Sequence, residues 1–136
     1  SSDVVSPDIA ADFVDKTKID ALAISVGNSH GVNKTGPNTQ MNFSRLSELN
    51  SALNVPLVMH GGSRLSKDEY RNSILSGISK VNVATDMSLA AAERLKAELG
   101  NNPNANYIHL MSIVKKGVKE SVRKYMLAFD CISKAI

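Results

Sequence analysis

Three short apolar runs, each separated from the next by a helical pattern, constrain this chain more than any other feature. They read Leu22-Ala23-Ile24-Ser25-Val26, Val55-Pro56-Leu57-Val58-Met59 and Lys80-Val81-Asn82-Val83-Ala84-Thr85-Asp86. Strands alternating with helices through short connections predict an α/β fold built on a parallel sheet. The first run predicts a strand over Ala21–Val26, apolar almost throughout, as a strand buried on both faces should be. The third predicts a strand over Val81–Ala84 that runs into Thr85-Asp86 as the cap of the next helix. Three strands are few for such a sheet, so the chain reads as part of a larger architecture.

The helices carry their own punctuation. Ser6-Pro7 is a capping hydroxyl followed by proline at the first helical position, with Ile9, Ala10, Phe13 and Val14 on one face. Phe43, Leu46, Leu49 and Leu53 mark a second amphipathic helix after a loop rich in Gly and Asn, Asn28 to Asn42. Ser66-x-x-Glu69 is a capping box opening a third, with Tyr70, Ile74 and Ile78 as its stripe and Gly77 as its stop. A fourth bears Leu89, Ala92 and Leu99, and Gly100-Asn101-Asn102-Pro103-Asn104 breaks it. The last carries Met111, Val114, Val118, Val122, Tyr125 and Phe129 at helical spacing, which reads as a packing face.

The totals exclude several classes. With 136 residues the chain can bury a core, but a complete (β/α)8 barrel takes about 250. No apolar run approaches the ~20 residues that span a bilayer, and the start lacks a signal pattern. The single Cys131 excludes an internal disulfide and fits a reducing compartment, the cytoplasm. Lys115, Lys116, Lys119, Arg123 and Lys124 lie opposite the apolar stripe of the last helix, so they read as a solvated face rather than a nucleic-acid patch. The start Ser1-Ser2-Asp3, without Met, is expected of processing, a tag scar or a truncated N-terminus.

Two of only three histidines, His30 and His60, follow apolar runs and are each followed by glycine. A lone His at a strand end is usually a hydrogen-bonded structural residue. Two at equivalent strand ends, with bare backbone beside them, point to a metal or substrate site. Two imidazoles do not complete a catalytic zinc site, which takes three protein ligands and an open position. His109, near the start of the last helix, reads as a surface or packing residue. Gly61-Gly62-Ser63 and the segment Asn82–Asp86 have the make-up of a phosphate cradle: close backbone amides, the hydroxyls of Ser63 and Thr85, and a helix N-terminus. A plain turn and a plain cap remain open as the alternative.

Gly27-Asn28-Ser29-His30-Gly31 also matches the nucleophile elbow G-x-S-x-G. The elbow should lead into a helix, yet Val32-Asn33-Lys34-Thr35-Gly36-Pro37 is a loop. His60-Gly61-Gly62 follows it rather than preceding it, against the order of such hydrolases.

At these residues the chain resembles the C-terminal part of the class II, zinc-dependent fructose- and tagatose-bisphosphate aldolases. The matching blocks are Asp20-Ala21-Leu22-Ala23 through His30-Gly31, Phe43-Ser44-Arg45-Leu46, Pro56-Leu57-Val58-Met59-His60-Gly61-Gly62-Ser63, and Gly77-Ile78-Ser79-Lys80-Val81-Asn82-Val83-Ala84-Thr85-Asp86. The resemblance implies one partial TIM-barrel domain over residues 1–136, about three parallel strands with flanking helices, and 101–136 as a helical extension. It implies His30 and His60 as two of three zinc ligands, with a zinc ion acting as Lewis acid on the ketone and hydroxyl oxygens. It implies Gly31, Gly61, Gly62 and Ser63 at the phosphate of dihydroxyacetone phosphate, where a monovalent cation (sodium or potassium) can also sit. Asn82, Val83, Ala84 and Thr85 are implied as the second half of that clamp. Arg64 stands where many members have Gly. The third zinc histidine and the proton-shuttling aspartate of such enzymes come from earlier strands, so no catalytic acid is expected here. The implied partners are a phosphorylated sugar, the N-terminal half of the barrel and further copies in a dimer or tetramer. Neither nucleic acid nor membrane is expected. A non-catalytic half-barrel that binds a sugar phosphate or a partner is the competing reading. Another phosphate-binding barrel enzyme that shares only the clamp is a third. Two unpaired sheet edges would favour association.

Overall fold

The computed structural model describes residues 5–25, 41–61 and 65–134. The elements run α1 (Pro7–Thr17), β1 (Leu22–Ile24), α2 (Phe43–Ala52), β2 (Leu57–Met59), α3 (Lys67–Leu75), β3 (Ile78–Val81), α4 (Thr85–Asn101) and α5 (Tyr107–Ala128). The chain divides into two compact units, Ser1–Val83 and Ala84–Ile136.

In the first unit the strands form one parallel sheet in the order β1-β2-β3. β2 is central, and Leu57, Val58 and Met59 are all buried. The expected two-sided burial therefore belongs to β2. β1 is shorter than predicted and outermost: Ile24 is buried, but Ala23, on the opposite face, is exposed. β3 begins three residues earlier than expected and ends at Val81. Its ladder partner offers only three residues, so pairing closes at Met59↔Val81. Val83 and Ala84 consequently lie beyond the sheet. Ser79 is skipped in the register, which runs from Leu57↔Ile78 directly to Val58↔Lys80.

The helices of this unit begin where their caps place them. Ser6 accepts from the Ile9 amide, with Pro7 following at the first position. Asn42 accepts from the Arg45 amide at the start of α2. Both halves of the capping box form in α3, where the Glu69 amide donates to Ser66 Oγ and the Ser66 amide to Glu69 Oε2. Gly77 ends it with a positive φ. Leu46 and Leu49 of α2, together with Leu57 and Met59, are wholly inaccessible to solvent and form the centre of the core. Two expected stripes change. On α1 Ala10 is buried, whereas Ile9 and Phe13 are 65% and 49% exposed. Ile78, counted with the α3 stripe, instead starts β3 and is buried there.

In the second unit α4 packs against α5. The buried positions of α5 are Gly117 and Ser121 rather than the valines, which are half-buried beside them. Met111, expected in the packing face, is exposed. Small residues let the two backbones approach. A Cβ built at Gly117 would lie 2.8 Å from the Ala90 carbonyl oxygen, a separation that atoms do not tolerate. An ion pair between Arg94 and Glu120 also joins the two helices. No helix among the described residues is long and apolar enough to cross a membrane. Gly117→Val is expected to lower stability by ~1–3 kcal/mol, since overpacking must push the helices apart. Thermal unfolding followed by circular dichroism checks this, and an unchanged midpoint would refute the close-packed seam.

Candidate functional site

Parallel pairing turns the carboxyl ends of β2 and β3 to the same rim. The last register pair is Met59↔Val81, so the next residues along, His60 and Asn82, emerge side by side. The Asn82 amide closes the ladder by donating to the Met59 carbonyl at 2.9 Å. Its side chain then reaches the imidazole, with Nδ2 3.1 Å from His60 Nε2 and 3.5 Å from Nδ1. A carboxamide nitrogen has only protons to offer, so the nearer ring nitrogen, Nε2, accepts. This selects the tautomer that carries its proton on Nδ1. In that arrangement both ring nitrogens are engaged, Nδ1 by its proton and Nε2 by Asn82, so a metal could take Nε2 only after Asn82 releases it. His60 is exposed and Asn82 half-buried, so the pair is open to a ligand.

Gly61 follows with φ of 66°, in the left-handed region that glycine enters without steric cost. His30, Gly31, Gly62 and Ser63 lie outside the described residues, as does Arg64.

From Val81 the chain runs through Asn82, Val83 and Ala84 into α4. Here the expected capping by Thr85-Asp86 is corrected. Ala84 occupies the N-cap position and offers no side-chain hydrogen bond, while Thr85 is already the first helical residue. The early end of β3 explains the shift: three residues suffice to reach the helix, and its first turn starts at Thr85. Asp86 accepts a hydrogen bond from the Tyr125 hydroxyl of α5 at 2.6 Å.

Among the described residues no three His, Cys, Asp or Glu side chains converge as a metal site. His109 is exposed on α5, with Nε2 2.7 Å from Glu98 Oε1 and its backbone amide donating to Asn106 Oδ1. Its role joins two helices at the surface. Sequence reasoning did not find the His60–Asn82 contact, because it depends on the skipped Ser79, which the sequence does not signal. It also missed the Tyr125–Asp86 contact, for which the sequence carries no local signal.

Comparison with known proteins is specific. The sequence profile described as fructose-bisphosphate aldolase class-II matches residues 2–134. The chain is 35% identical over 133 residues to the sulfofructosephosphate aldolase of Alkalicoccus urumqiensis, covering 97% of this chain and 46% of that protein. It is 36% identical over 127 residues to the D-tagatose-1,6-bisphosphate aldolase subunit GatY of Klebsiella oxytoca, covering 93% and 44%. The crystal structure of the YdjI aldolase from Escherichia coli K12 matches with a TM-score of 0.79 at 33% identity, covering 97% of this chain and 47% of that one. The chain spans about half the length of the curated relatives it matches.

The His60–Asn82 geometry has a direct spectroscopic consequence. Asn82→Ala should release the ring and increase the population protonated on Nε2, read from the imidazole ¹⁵N shifts of His60. Identical tautomer populations in the variant would show that Asn82 does not hold the ring.

Proposed function

The chain belongs to the class-II fructose-bisphosphate aldolase family, and on that premise we propose that it forms the C-terminal part of a barrel enzyme. The reaction is reversible aldol cleavage of a phosphorylated ketose, with fructose or tagatose 1,6-bisphosphate as the substrate class and dihydroxyacetone phosphate and glyceraldehyde 3-phosphate as the products. The observation that carries this reading is the pairing of His60 with Asn82 at the carboxyl rim of a parallel sheet. That rim is where the fold class places its chemistry.

His60 fits a zinc ion in donor type and exposure, and would offer it Nε2 once Asn82 releases that nitrogen. With His30 it would supply two of the ligands, and a third would come from outside this chain. The metal supplies Lewis acidity toward the substrate's ketone and hydroxyl oxygens. The chain's own residues do the rest of the binding. Gly31, Gly61, Gly62 and Ser63, with Asn82, Val83, Ala84 and Thr85, are the residues this reading assigns to the phosphate of the dihydroxyacetone phosphate moiety. Sodium or potassium beside that phosphate would offset its charge. Phosphate is also what the names of the relatives have in common. Sulfofructosephosphate and tagatose bisphosphate are both phosphorylated ketoses that differ elsewhere. Assembly with the N-terminal half of the barrel, homo-oligomers of the complete enzyme and a cytoplasmic location belong to the same reading.

A second reading is a non-catalytic half-barrel that binds a sugar phosphate or a partner. Both readings expect this chain by itself to bind zinc weakly and to show no turnover. Zinc-dependent cleavage of either bisphosphate by the chain alone would overturn that expectation. They part in the full-length protein that carries this sequence. There His30→Ala or His60→Ala should remove bound zinc, measured by elemental analysis, and reduce cleavage by ~100-fold or more. Full zinc content in either variant would reject the ligand assignment, and a wild-type protein without zinc or cleavage would favour the non-catalytic module.

A further inference from the structure

We propose that Tyr125 is a positioning residue for the phosphate clamp, acting on Thr85 through Asp86. The inference rests on the clamp reading and deepens it by assigning the part of the chain that holds Thr85 in place. Thr85 and Asp86 are the first two residues of α4. Ala84, the N-cap, contributes no side chain to fix that turn. A contact that reaches it comes from 39 residues away: the Tyr125 hydroxyl in the last turn of α5 donates to Asp86 Oδ2 at 2.6 Å in a part-buried setting.

The bond has the marks of a positional constraint. It is charge-assisted and short, the class of hydrogen bond that keeps its geometry best. Tyr125 is itself held, half-buried and with its ring 5.7 Å from that of Phe129 in a tilted arrangement. The close seam at Gly117 fixes α5 against α4 eight residues earlier in α5. A rigid phenol on a rigid helix therefore anchors the turn whose first residue supplies a hydroxyl and a backbone amide to the ligand. Without that anchor the turn is free to fray, as first turns do, and the two donors no longer converge on one oxygen. The effect falls on anion affinity and leaves the core of the first unit untouched.

The test uses the full-length protein that carries this sequence, ¹⁵N-labelled and titrated with inorganic phosphate while the Thr85 and Asp86 amide signals of the folded form are followed. Tyr125→Phe keeps the ring and its packing on Phe129 and removes only the hydroxyl. It should weaken phosphate binding about fivefold, the size of one ordinary hydrogen bond. Asp86→Asn retains a side-chain oxygen to accept from Tyr125 and should stay within about twofold of wild type. In an Asp86→Ala background, adding Tyr125→Phe should cost nothing further, because the two act as one unit. A merely structural tyrosine would reduce the folded population without changing the dissociation constant of the molecules still folded. Unaltered affinity in Tyr125→Phe, or additive losses in the double variant, overturns the proposal. Thr85→Ala separates it from its premise. If that variant binds phosphate as wild type does, or if wild type shows no shifts at these amides, the clamp reading fails and Tyr125's role with it. If Thr85→Ala weakens binding and Tyr125→Phe does not, only the role of Tyr125 is lost.

Discussion

Burial of β2 on both faces is the constraint from which the first unit follows. Leu57, Val58 and Met59 can leave water together only if helices cover the sheet and a strand flanks each edge. Leu46 and Leu49 provide part of that cover. β1 and β3 satisfy the backbone groups, and both pair parallel to β2. Parallel pairing then decides where chemistry can occur, because all three strands end at the same rim. His60 and Asn82 meet there without any dedicated loop to bring them together. The site thus inherits its precision from strands rather than from flexible connections, the arrangement that best holds a ligand constellation.

The second unit is built on a different principle. α4 has no fully buried residue, and the seam with α5 depends on absence of bulk at Gly117 and Ser121. Polar bridges supplement it: Arg94 with Glu120, Glu98 with His109, and Asp86 with Tyr125. The first two pairs are substantially exposed and contribute little to stability, since water and salt screen them. The third is part-buried and sits at the end of α4 nearest in sequence to the rim residues. A seam built this way holds orientation better than it resists unfolding.

The sequence made local features plain and distant ones obscure. Ser6-Pro7, the Ser66–Glu69 box and the stop at Gly77 were readable because each is satisfied within a few residues of itself. The order of strands and helices was readable for the same reason. The end of β3 was not, because Val81-Asn82-Val83-Ala84 has strand-like composition and only the shortness of β2 ends the pairing. The exposure of Ile9 and Phe13 was equally hidden, since hydropathy reports an apolar face but not whether anything covers it. Gly117 and Ser121 gave no signal at all: a pattern search looks for bulk, and their contribution is its lack. Of the candidate site, His60, Gly61 and the Asn82–Thr85 segment were marked by residue type and position. How they engage one another required the register.

That register contains one irregularity with a consequence for any relative or variant. In an unbroken ladder starting from Leu57↔Ile78, His60 would stand opposite Val81, and an aliphatic side chain would face the imidazole. The unpaired Ser79 advances β3 by one position, so His60 stands opposite Asn82 instead. A single residue with no chemistry of its own therefore chooses between a wet, hydrogen-bonding neighbour and a dry one. The identity of the site is written partly as a count of residues between two strands. A change in that count would disable it while leaving every named side chain in the sequence.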